Sequence, residues 1–313
     1  MRASRVLVLG GTGFVGRNVM EVLREARLQC ISASRAEGTD LRDVRATREL
    51  LRQQQPAFIV NCAARVGSLN YVTKQAAEVI ADNTRMILAL YEAVAQECRN
   101  ALVINPLANC VYPATVNTLE EDHWCDGHLH RSVLSYGSTR RFLWSVAECF
   151  QMQDAVRSVH LFVPNMYGPH DSTDPDKAHA LNALIAKFVK ARANGLEQVS
   201  IWGSGVAIRE WLYVTDFARI VLSIINQPDM VGLSEPLNIA QNFGLSVREL
   251  VGLIFEATSF KGQAVYDHTM PDGAQRKVMD DQRFRKVFPE FRFTPLREGI
   301  RKTVPYYESV LPY

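Results

Sequence analysis

The residues at positions 10–16 are the first in the chain whose types and spacing could do chemistry. They read GGTGFVG, which contains both G-x-G-x-x-G and G-x-x-G-x-x-G. Glycines at these spacings allow a tight turn, let the backbone approach a pyrophosphate and let a helix pack close to the preceding strand. The pyrophosphate would lie at the positive end of a helix that opens near Phe14. The segment therefore predicts a dinucleotide site formed by Gly10, Thr12, Gly13, Phe14, Val15 and Gly16.

The residues after the second predicted strand bear on which dinucleotide binds. An NAD site commonly has an acid at the end of that strand, where it binds the ribose 2′-hydroxyl. Here the chain reads ISASR at 31–35, and the acids Glu37 and Asp40 come slightly later. A hydroxyl and the Arg35 guanidinium suit a 2′-phosphate, because arginine binds phosphate in bidentate fashion. We expect NADP(H), with NAD(H) and a solvated Arg35 as the alternative, and we place Asp40 and Leu41 either near the adenine or in a polar loop.

Strands and helices alternate regularly over the first half of the chain. Strands are expected at 5–10, 29–32, 57–61, 101–104 and 158–162, and helices at 17–26, 46–54, 83–98 and 136–153. This rhythm predicts a doubly wound parallel α/β sheet of the Rossmann type with right-handed crossovers. After Pro164 the rhythm is lost, although a helix is still expected at 178–193. We expect a dinucleotide-binding domain at 1–163 and a smaller, mainly substrate-binding lobe at 164–313, which can return strands to the sheet.

Polar motifs follow the predicted strands and continue through the second half of the chain. They are NCAARVG at 61–67, ANCVYP at 108–113, YGSTR at 136–140, PNMYGPHD at 164–171, WGSGVAIREW at 202–211 and PDGAQRKVMD at 271–280. In this order the chain resembles the extended short-chain dehydrogenase/reductases that act on nucleotide sugars, and within them the GDP-L-fucose synthases. Those enzymes epimerise C3 and C5 of GDP-4-keto-6-deoxy-mannose and then reduce C4 with NADPH. The resemblance covers nearly the whole chain and implies NADP(H) and a GDP-linked sugar.

The resemblance also assigns roles to particular residues. Tyr136 would protonate the C4 oxygen as hydride arrives, and Cys110 and His179 would exchange protons at C3 and C5. This chemistry is reasonable because carbons beside a ketone are acidified, and a base on one face with an acid on the other inverts the centre. For Cys110 alone, a small buried hydrophobe is the ordinary alternative. The implied substrate contacts are Asn165, Lys187, Trp202, Arg209 and Lys277, and the further cofactor contacts are Ala63, Tyr136 and Arg140.

Two positions depart from the family pattern and concern the reduction step. The family has a lysine four residues after its tyrosine, where this chain has Arg140, and a serine at the position of Ala108. Arginine can donate to a ribose but gives up no proton at a workable pH. Losing a hydrogen-bond donor to a developing oxyanion costs on the order of 100-fold or more in rate. Asn109, which we include among the catalytic candidates, Ser138 and Thr139 are the side chains that could substitute for the serine.

Composition excludes several other classes of protein. The 313 residues carry 35 Lys and Arg against 33 Asp and Glu, a balance unlike that of a protein held on nucleic acid by phosphate neutralisation. No apolar run reaches the length of a membrane span, and no signal peptide is recognisable at the N-terminus. The six scattered cysteines form no C-x-x-C pair, and the acids and histidines at 170–179 lack helical ligand spacing. We expect a cytoplasmic protein with no metal site and no membrane or nucleic-acid partner.

Three other functions and an oligomeric state complete the expectations. The changes at Ala108 and Arg140 make a relative that epimerises without reducing credible, and a 4-epimerase of the same superfamily is a third enzymatic reading. A dinucleotide-binding sensor or scaffold is the rival from another class. Because related enzymes pair two helices per subunit into a four-helix interface, we expect a homodimer. Its interface would use the apolar faces of the helices at 83–98 and 136–153, on Ile87, Leu90, Val94, Phe142 and Val146.

Overall fold

The computed structural model describes residues 5–116, 118–230, 232, 235–270, 272 and 274–313, so Pro271 and Gly273 of the last motif lie outside the described residues. Its strands are β1 (Val6–Leu9), β2 (Cys30–Ala33), β3 (Phe58–Asn61), β4 (Leu102–Ala108), β5 (Arg157–Val163), β6 (Asn165–Tyr167), β7 (Gln198–Trp202), β8 (Ile208–Arg209), β9 (Trp211–Tyr213), β10 (Leu237–Asn238), β11 (Leu245–Ser246), β12 (Gln263–Asp267) and β13 (Arg276–Lys277). Its helices are α1 (Phe14–Glu25), α2 (Val44–Gln54), α3 (Leu69–Lys74), α4 (Ala76–Glu97), α5 (Leu134–Asp154), α6 (Ala180–Ala193), α7 (Val214–Asn226), α8 (Val247–Thr258), α9 (Gln282–Val287) and α10 (Leu296–Ser309).

A parallel sheet organises the fold, and the predicted doubly wound Rossmann architecture is confirmed. Within the described ranges its strands lie in the order β10-β5-β4-β3-β1-β2, and every neighbouring pair is parallel. The predicted element boundaries are close to those observed. The largest difference is α4, which begins at Ala76 rather than at Asn83. Asn83 lies inside this helix, and its side chain bonds both the N–H and the carbonyl of Arg65 in the loop after β3.

The first strand, β1, is hydrophobic along its whole length because both faces of the sheet are covered. In β1 all four side chains are buried. Leu7 and Leu9 face the core shared with α2, α4 and α5, whereas Val6 and Val8 face the core shared with α1 and α7. A strand buried on both faces reads as a continuous apolar run, which is the pattern that the sequence shows.

A third core holds the second half of the chain together. It is built from α6, α8, α10 and the paired strands β7 and β12. The same half also returns to the sheet, since β10 pairs with β5 and α7 packs against α1. A domain boundary between residues 163 and 164 stays a prediction. Elements from after this position, β10 and α7, pack with elements from before it. No helix in the described ranges is long and apolar enough to cross a bilayer.

Candidate active site

Gly10 and Ala63 lie in contact where β1 and β3 end, at the crevice of the sheet. The chain runs from β1 to β2 on one side and returns to β3 on the other, so the strand order reverses here. Ligands of open α/β sheets bind outside the carboxyl ends of the strands at such a point. Gly10 has a φ of 73°, and a Cβ there would lie 2.9 Å from the Ala63 Cα. Glycine is therefore required for both the conformation and the close approach.

The glycine loop forms a cradle between β1 and α1. The N–H of Gly13 donates to the carbonyl of Gly10 at 2.9 Å, and a Cβ on Gly16 would lie only 2.2 Å from the same carbonyl. Gly13 precedes α1 and has no side chain with which to cap it. The N–H groups of the first turn, which begins at Phe14, remain available for an anion, and Val15 packs beside them against the core. The predicted pyrophosphate cradle therefore fits a dinucleotide.

A cluster of hydroxyl groups lies where β2 ends. Thr12 Oγ1 donates to Ser34 Oγ at 2.9 Å. The hydroxyls of Ser32 and Ser34 both donate to Oε2 of Glu37, each at 2.7 Å. The Arg35 side chain is exposed and makes no hydrogen bond or ion pair with the residues that the structure describes. Glu37 comes four residues after the end of β2, but its side chain reaches back to the end of that strand.

Asp40 and Leu41 hold the loop that follows this cluster. The Arg42 guanidinium binds the Asp40 carboxylate and lowers the pKa of Asp40 to about 2. Arg42 also pairs with Asp82 on α4. Leu41 is buried in the core that lies between the sheet and α2 and α4. Both residues therefore have a structural role here, and their contact with an adenine stays a prediction.

Cys110, Tyr136 and Arg140 meet where β4 ends and α5 begins. Cys110 follows β4 in a single 3₁₀ turn, and Tyr136 and Arg140 lie one turn apart on α5. A Cβ on Gly137 would lie 3.0 Å from the Cys110 carbonyl, which shows how closely α5 approaches the thiol segment. The guanidinium carbon of Arg140 is 5.0 Å from the centre of the Tyr136 ring. Burial raises the pKa of the Tyr136 phenol, and the positive charge of Arg140 opposes that rise.

The Cys110 thiol is buried and has two cations near it. Burial raises its pKa to about 11, while the charges of Lys277 and Arg140 act in the opposite direction. Cys110 affects Lys277 in turn. Burial lowers the pKa of Lys277, and the charge of the Cys110 thiolate opposes that decrease. Lys277, which the resemblance implies is a substrate contact, therefore also lies close to the thiol. A thiolate at Cys110 would be stabilised chiefly by these two side chains.

A cationic strip leads away from the thiol. Lys277 on β13 is paired in parallel with Arg209 on β8, so the two side chains share one face. Nη2 of Arg209 donates to the carbonyl of Asp272 at 3.2 Å. Burial lowers the pKa of the Arg209 guanidinium. Nearby, Nδ2 of Asn165 donates to the carbonyl of Glu210 at 3.3 Å. The structure thus brings Asn165, Arg209 and Lys277 together around β8 and β9.

Trp202 and Lys187 lie further out in the C-terminal lobe. Trp202 ends β7 and is 59% exposed. Nζ of Lys187, on α6, donates to the carbonyl of Ser200 on β7 at 2.5 Å. Within the described residues no hydrogen bond or ion pair joins Lys187 to the thiol, the phenol or the cationic strip, so a substrate contact for Lys187 stays a prediction.

His179 is oriented by a buried carboxylate. The helix expected at 178–193 begins at Ala180, so His179 precedes it in an extended conformation. Nδ1 of His179 lies 3.2 and 3.1 Å from the two oxygens of Asp171, and its backbone N–H donates to the same carboxylate at 2.8 Å. Asn182 donates a further hydrogen bond to Asp171. Because Nδ1 is engaged, Nε2 is the nitrogen left for a substrate.

His179 lies beside the glycine loop. Its ring centre is 5.4 Å from that of Phe14, the first residue of α1. The glycine loop follows β1 and Cys110 follows β4, with β3 between these two strands. At the usual strand spacing the ends of β1 and β4 are roughly 10 Å apart. Cys110, Tyr136 and His179 therefore lie at the same edge of the sheet, and their joint action on one sugar ring stays a prediction.

Ala108 occupies the position at which the family has a serine, and two of the side chains that could replace that serine differ in whether they are already hydrogen-bonded. Ala108 is the last residue of β4 and offers no hydrogen-bond donor. The hydroxyl of Thr139 donates to the carbonyl of Tyr136 at 2.7 Å and is thus already engaged. Nδ2 of Asn109 is buried and has no partner among the described residues. Asn109 remains a candidate. The buried Arg140 side chain donates from Nη2 to Oδ1 of Asn83 at 3.4 Å.

Asp171 is the functional residue that sequence reasoning missed, since it was considered only as a metal ligand. The available signal was its place in PNMYGPHD, eight positions before the histidine. In the described part of the chain, no group of three or more His, Cys, Asp or Glu residues is placed to hold a metal ion. The acids and histidines at 170–179 instead form pairs: His170 bonds Glu21, and His179 bonds Asp171.

Comparison with known proteins agrees with this architecture. Residues 6–240 match the model of the NAD dependent epimerase/dehydratase family. A GDP-L-fucose synthase from Azorhizobium caulinodans is 30% identical, over 98% of this chain and 97% of its own. A GDP-L-fucose synthase from Escherichia coli is 26% identical, over 92% of this chain and 91% of its own.

A solved structure extends the likeness to the fold. The GDP-L-fucose synthetase of Naegleria fowleri bound to NADP is 25% identical and superposes with a TM-score of 0.86, covering 99% of this chain and 94% of that one. The match to the family model and the full-length similarity agree with the crevice, the glycine cradle and the cluster at the end of β4. The chain belongs to the NAD dependent epimerase/dehydratase family.

Proposed function

We propose that this chain is an NADP(H)-dependent nucleotide-sugar epimerase/reductase that acts on a GDP-linked 4-keto-6-deoxy-hexose. It epimerises C3 and C5 and then reduces C4. The full-length similarity to GDP-L-fucose synthases supports this substrate class. The glycine cradle and Ala63 would hold the dinucleotide, which supplies the hydride for the C4 carbonyl. Asn165, Arg209 and Lys277 would bind the GDP part, where cations neutralise phosphate charge.

The side chains divide the proton transfers between them. Cys110 and His179 exchange protons at the carbons beside the ketone, where loss of a proton gives an enolate. Tyr136 donates its phenolic proton to the C4 oxygen as charge develops there. Arg140 favours the ionised phenol by its charge but transfers no proton itself, because a guanidinium stays protonated. The phenol must therefore regain its proton from solvent or from a ribose hydroxyl.

One observation carries the proposal. A buried thiol beside cations, a phenol on α5 and a carboxylate-oriented imidazole stand along one edge of the sheet, next to a glycine cradle. Acid and base groups gathered at one edge of the sheet, next to a dinucleotide cradle, suit inversion at carbon better than simple binding does. A scaffold that only binds a dinucleotide has no need of this arrangement.

Proton exchange into the substrate tests the proposal directly. Purified protein would be incubated with GDP-4-keto-6-deoxy-mannose in heavy water, with and without NADPH. Deuterium at C3 and C5 together with NADPH oxidation is the expected result. Neither deuterium uptake nor oxidation would rule the proposal out.

Epimerisation without reduction is the second candidate, and the structure has a specific feature in its favour. Ala108 places a methyl group where the family has a serine, and Thr139 is engaged elsewhere. Deuterium uptake without NADPH oxidation would identify this activity.

We further propose a cytoplasmic homodimer. All six cysteines are free, as is usual in a reducing compartment. The residues expected at the dimer interface need correction, because Ile87, Leu90, Val94 and Val146 are buried in the subunit's own core. The exposed large apolar side chains of the two helices are Ile80 and Leu88 on α4 and Leu134 and Met152 on α5. These side chains are the ones available to a second copy.

A further inference from the structure

The residue before Asp171 bonds to a different element of the fold. Nε2 of His170 lies 2.7 Å from Oε1 of Glu21 on α1. Nδ1 of His170 is buried and has no hydrogen-bond partner among the described residues, which favours the ring proton on Nε2, from where it is donated to the carboxylate. Two consecutive side chains of this loop therefore bond in two directions, His170 to α1 and Asp171 to His179.

His170 has a left-handed backbone conformation. Its φ is 70°, a region that glycine adopts readily and that costs free energy in other residues. A residue keeps such a conformation where its surroundings determine it, and these places are often close to functional sites. The contacts of the His170 ring are therefore what holds a histidine at this position.

The loop is also held on both sides of His170. Nδ2 of Asn18, on α1, donates to the carbonyl of Pro169 at 3.0 Å. The ring of Tyr306, on α10, packs edge-on against the His170 ring with 5.1 Å between the ring centres. The Tyr306 hydroxyl donates to the carbonyl of Asp171 at 3.3 Å. Side chains of α1 and α10 thus fasten three consecutive residues of the loop.

The helix that anchors this loop also carries the glycine cradle at its N-terminus. Phe14 begins α1, and its ring centre is 5.4 Å from that of His179. His179 is therefore held against α1 in two ways, directly by Phe14 and indirectly through the loop that Glu21 anchors. A shift of the loop relative to α1 would move the imidazole relative to the dinucleotide cradle.

The bond between Glu21 and His170 is partly open to solvent. The Glu21 side chain is 51% exposed and the His170 side chain is 22% exposed. Water screens a pair of this kind, so it contributes little to folding stability. We therefore expect the pair to affect the position of the loop more than the stability of the fold.

We propose that Glu21 and His170 are positioning residues for the acid–base imidazole. Their hydrogen bond anchors the loop that carries Asp171 to α1, and Asp171 then orients His179. This inference rests on the proposed function, in which His179 exchanges a proton of the sugar. Because a shift of about 1 Å in a reacting group can cost up to about 100-fold in rate, we expect loss of the anchor to cost about tenfold at the carbon that His179 serves.

Deuterium uptake at C3 and C5 of GDP-4-keto-6-deoxy-mannose, followed by NMR, tests the assignment. His179→Gln identifies the carbon that His179 serves. His170→Gly should slow uptake at that carbon about tenfold with little change in KM. Folding stability should change little, because the relieved backbone offsets the lost ring contacts. Glu21→Ala should have the same effect, whereas Glu21→Gln, whose amide oxygen still accepts the hydrogen bond, should retain most of the rate.

Glu25→Ala is the matched control, because Glu25 is another exposed acid on α1. It should change neither exchange rate. Equal slowing at both carbons, or no slowing in His170→Gly and Glu21→Ala, would overturn the positioning role while the proposed function stands. If the parent protein exchanges protons at neither carbon, the proposed function is wrong.

A second measurement needs no turnover. In protein that carries isotope-labelled histidine, NMR gives the fraction of neutral His179 rings with their proton on Nδ1. That fraction should be high in the parent protein, because Asp171 accepts from Nδ1, and lower in His170→Gly and Glu21→Ala. An equal fraction in the parent and both variants would overturn the positioning role, whether or not the sugar is a substrate.

Discussion

The carboxylate of Asp171 lies 3.1 and 3.2 Å from Nδ1 of His179, and it is buried while the imidazole is partly open. Such a pair keeps one tautomer and one ring orientation, and it stabilises the imidazolium when a proton is taken up. The hydrogen bonds from Asn182 and from the His179 backbone hold the carboxylate in place. His179 can therefore act as an acid or base only in the orientation that Asp171 sets.

Asp171→Asn should slow proton exchange by about 100-fold or more. A general acid–base group contributes roughly this factor to the rate, and His179 would lose it if the asparagine stabilised the other imidazole tautomer. The measurement is deuterium uptake at C3 and C5 by NMR. Only the carbon served by His179 should be affected, and cofactor binding should not change. Asp176→Asn, at an exposed acid of the same loop, is the control. Equal slowing at both carbons would contradict a specific effect on His179.

The Cys110 thiol should make exchange depend on pH. Burial raises the pKa of Cys110 to about 11, so the thiolate fraction in the free protein grows about tenfold per pH unit below that value. If the thiolate is the base, exchange at one carbon should increase with this slope between pH 6 and pH 9. Cys110→Ser should abolish the increase. A flat profile in the parent protein would exclude Cys110 as the base.

Lys277→Met should destabilise the Cys110 thiolate and also weaken substrate binding. Removing the ammonium raises the pKa of Cys110 further, so exchange at neutral pH should decrease about tenfold. Affinity for GDP should decrease as well, because Lys277 shares a face with Arg209. Arg209→Met is the comparison: it should lower GDP affinity with a smaller effect on exchange. Identical effects of the two variants would show that Lys277 acts only on the diphosphate.

Ala108→Ser should improve reduction. The new hydroxyl stands at the end of β4, beside the thiol and phenol, and supplies the donor that the C4 oxyanion lacks. Restoring one such donor is worth on the order of 100-fold in rate, so NADPH oxidation should increase by about tenfold or more. Proton exchange at C3 and C5, followed in the same samples, should stay unchanged. No gain in oxidation would show that another group, such as Asn109, already fills this role.

Glu210 should make folding depend on pH. It is fully buried, accepts the N–H groups of Gln241 and Met279, and has a pKa raised to about 7, mainly by burial. The folded pKa is above the unfolded one, so its contribution is present below about pH 4.5 and is lost as pH rises through about 7. That contribution is of the order of 3 kcal/mol.

Thermal unfolding of Glu210→Gln between pH 5 and pH 8 provides the measurement. The parent should lose stability over this range relative to the variant. The variant should also be less stable at pH 5, since its amide cannot accept both N–H groups, at a cost of about 1–3 kcal/mol. Parallel pH profiles for the two proteins would contradict the raised pKa.

Leu88→Glu should disrupt the proposed dimer. Leu88 is 37% exposed on α4, and a charge there would be buried by a second copy at a high cost in free energy. Light scattering after size-exclusion chromatography should give a dimer for the parent protein at micromolar concentration and a monomer for the variant. A monomeric parent would show that these apolar side chains are not an interface.

The local sequence of this protein determines most of its strands and helices and the glycine cradle. The four-residue apolar run of β1 is typical of a strand buried on both faces, and the glycine spacing after it is typical of a tight turn before a helix. The ends of the strands could therefore be located, whereas the roles expected of Cys110 and Tyr136 came from the resemblance to a family. The start of α6 was misplaced by two residues because its apolar pattern does not show that Asp171 holds His179 before the helix.

Only the tertiary structure decided which groups act on one another. Glu37 reaches back to Ser32 and Ser34, Asp171 orients His179, and Lys277 approaches Cys110 from a strand far along the chain. Charge and hydrogen bonding depend on distances of a few ångströms. Residue order cannot supply these distances when the partners lie on different elements, and packing fixes them once the sheet and both lobes have formed.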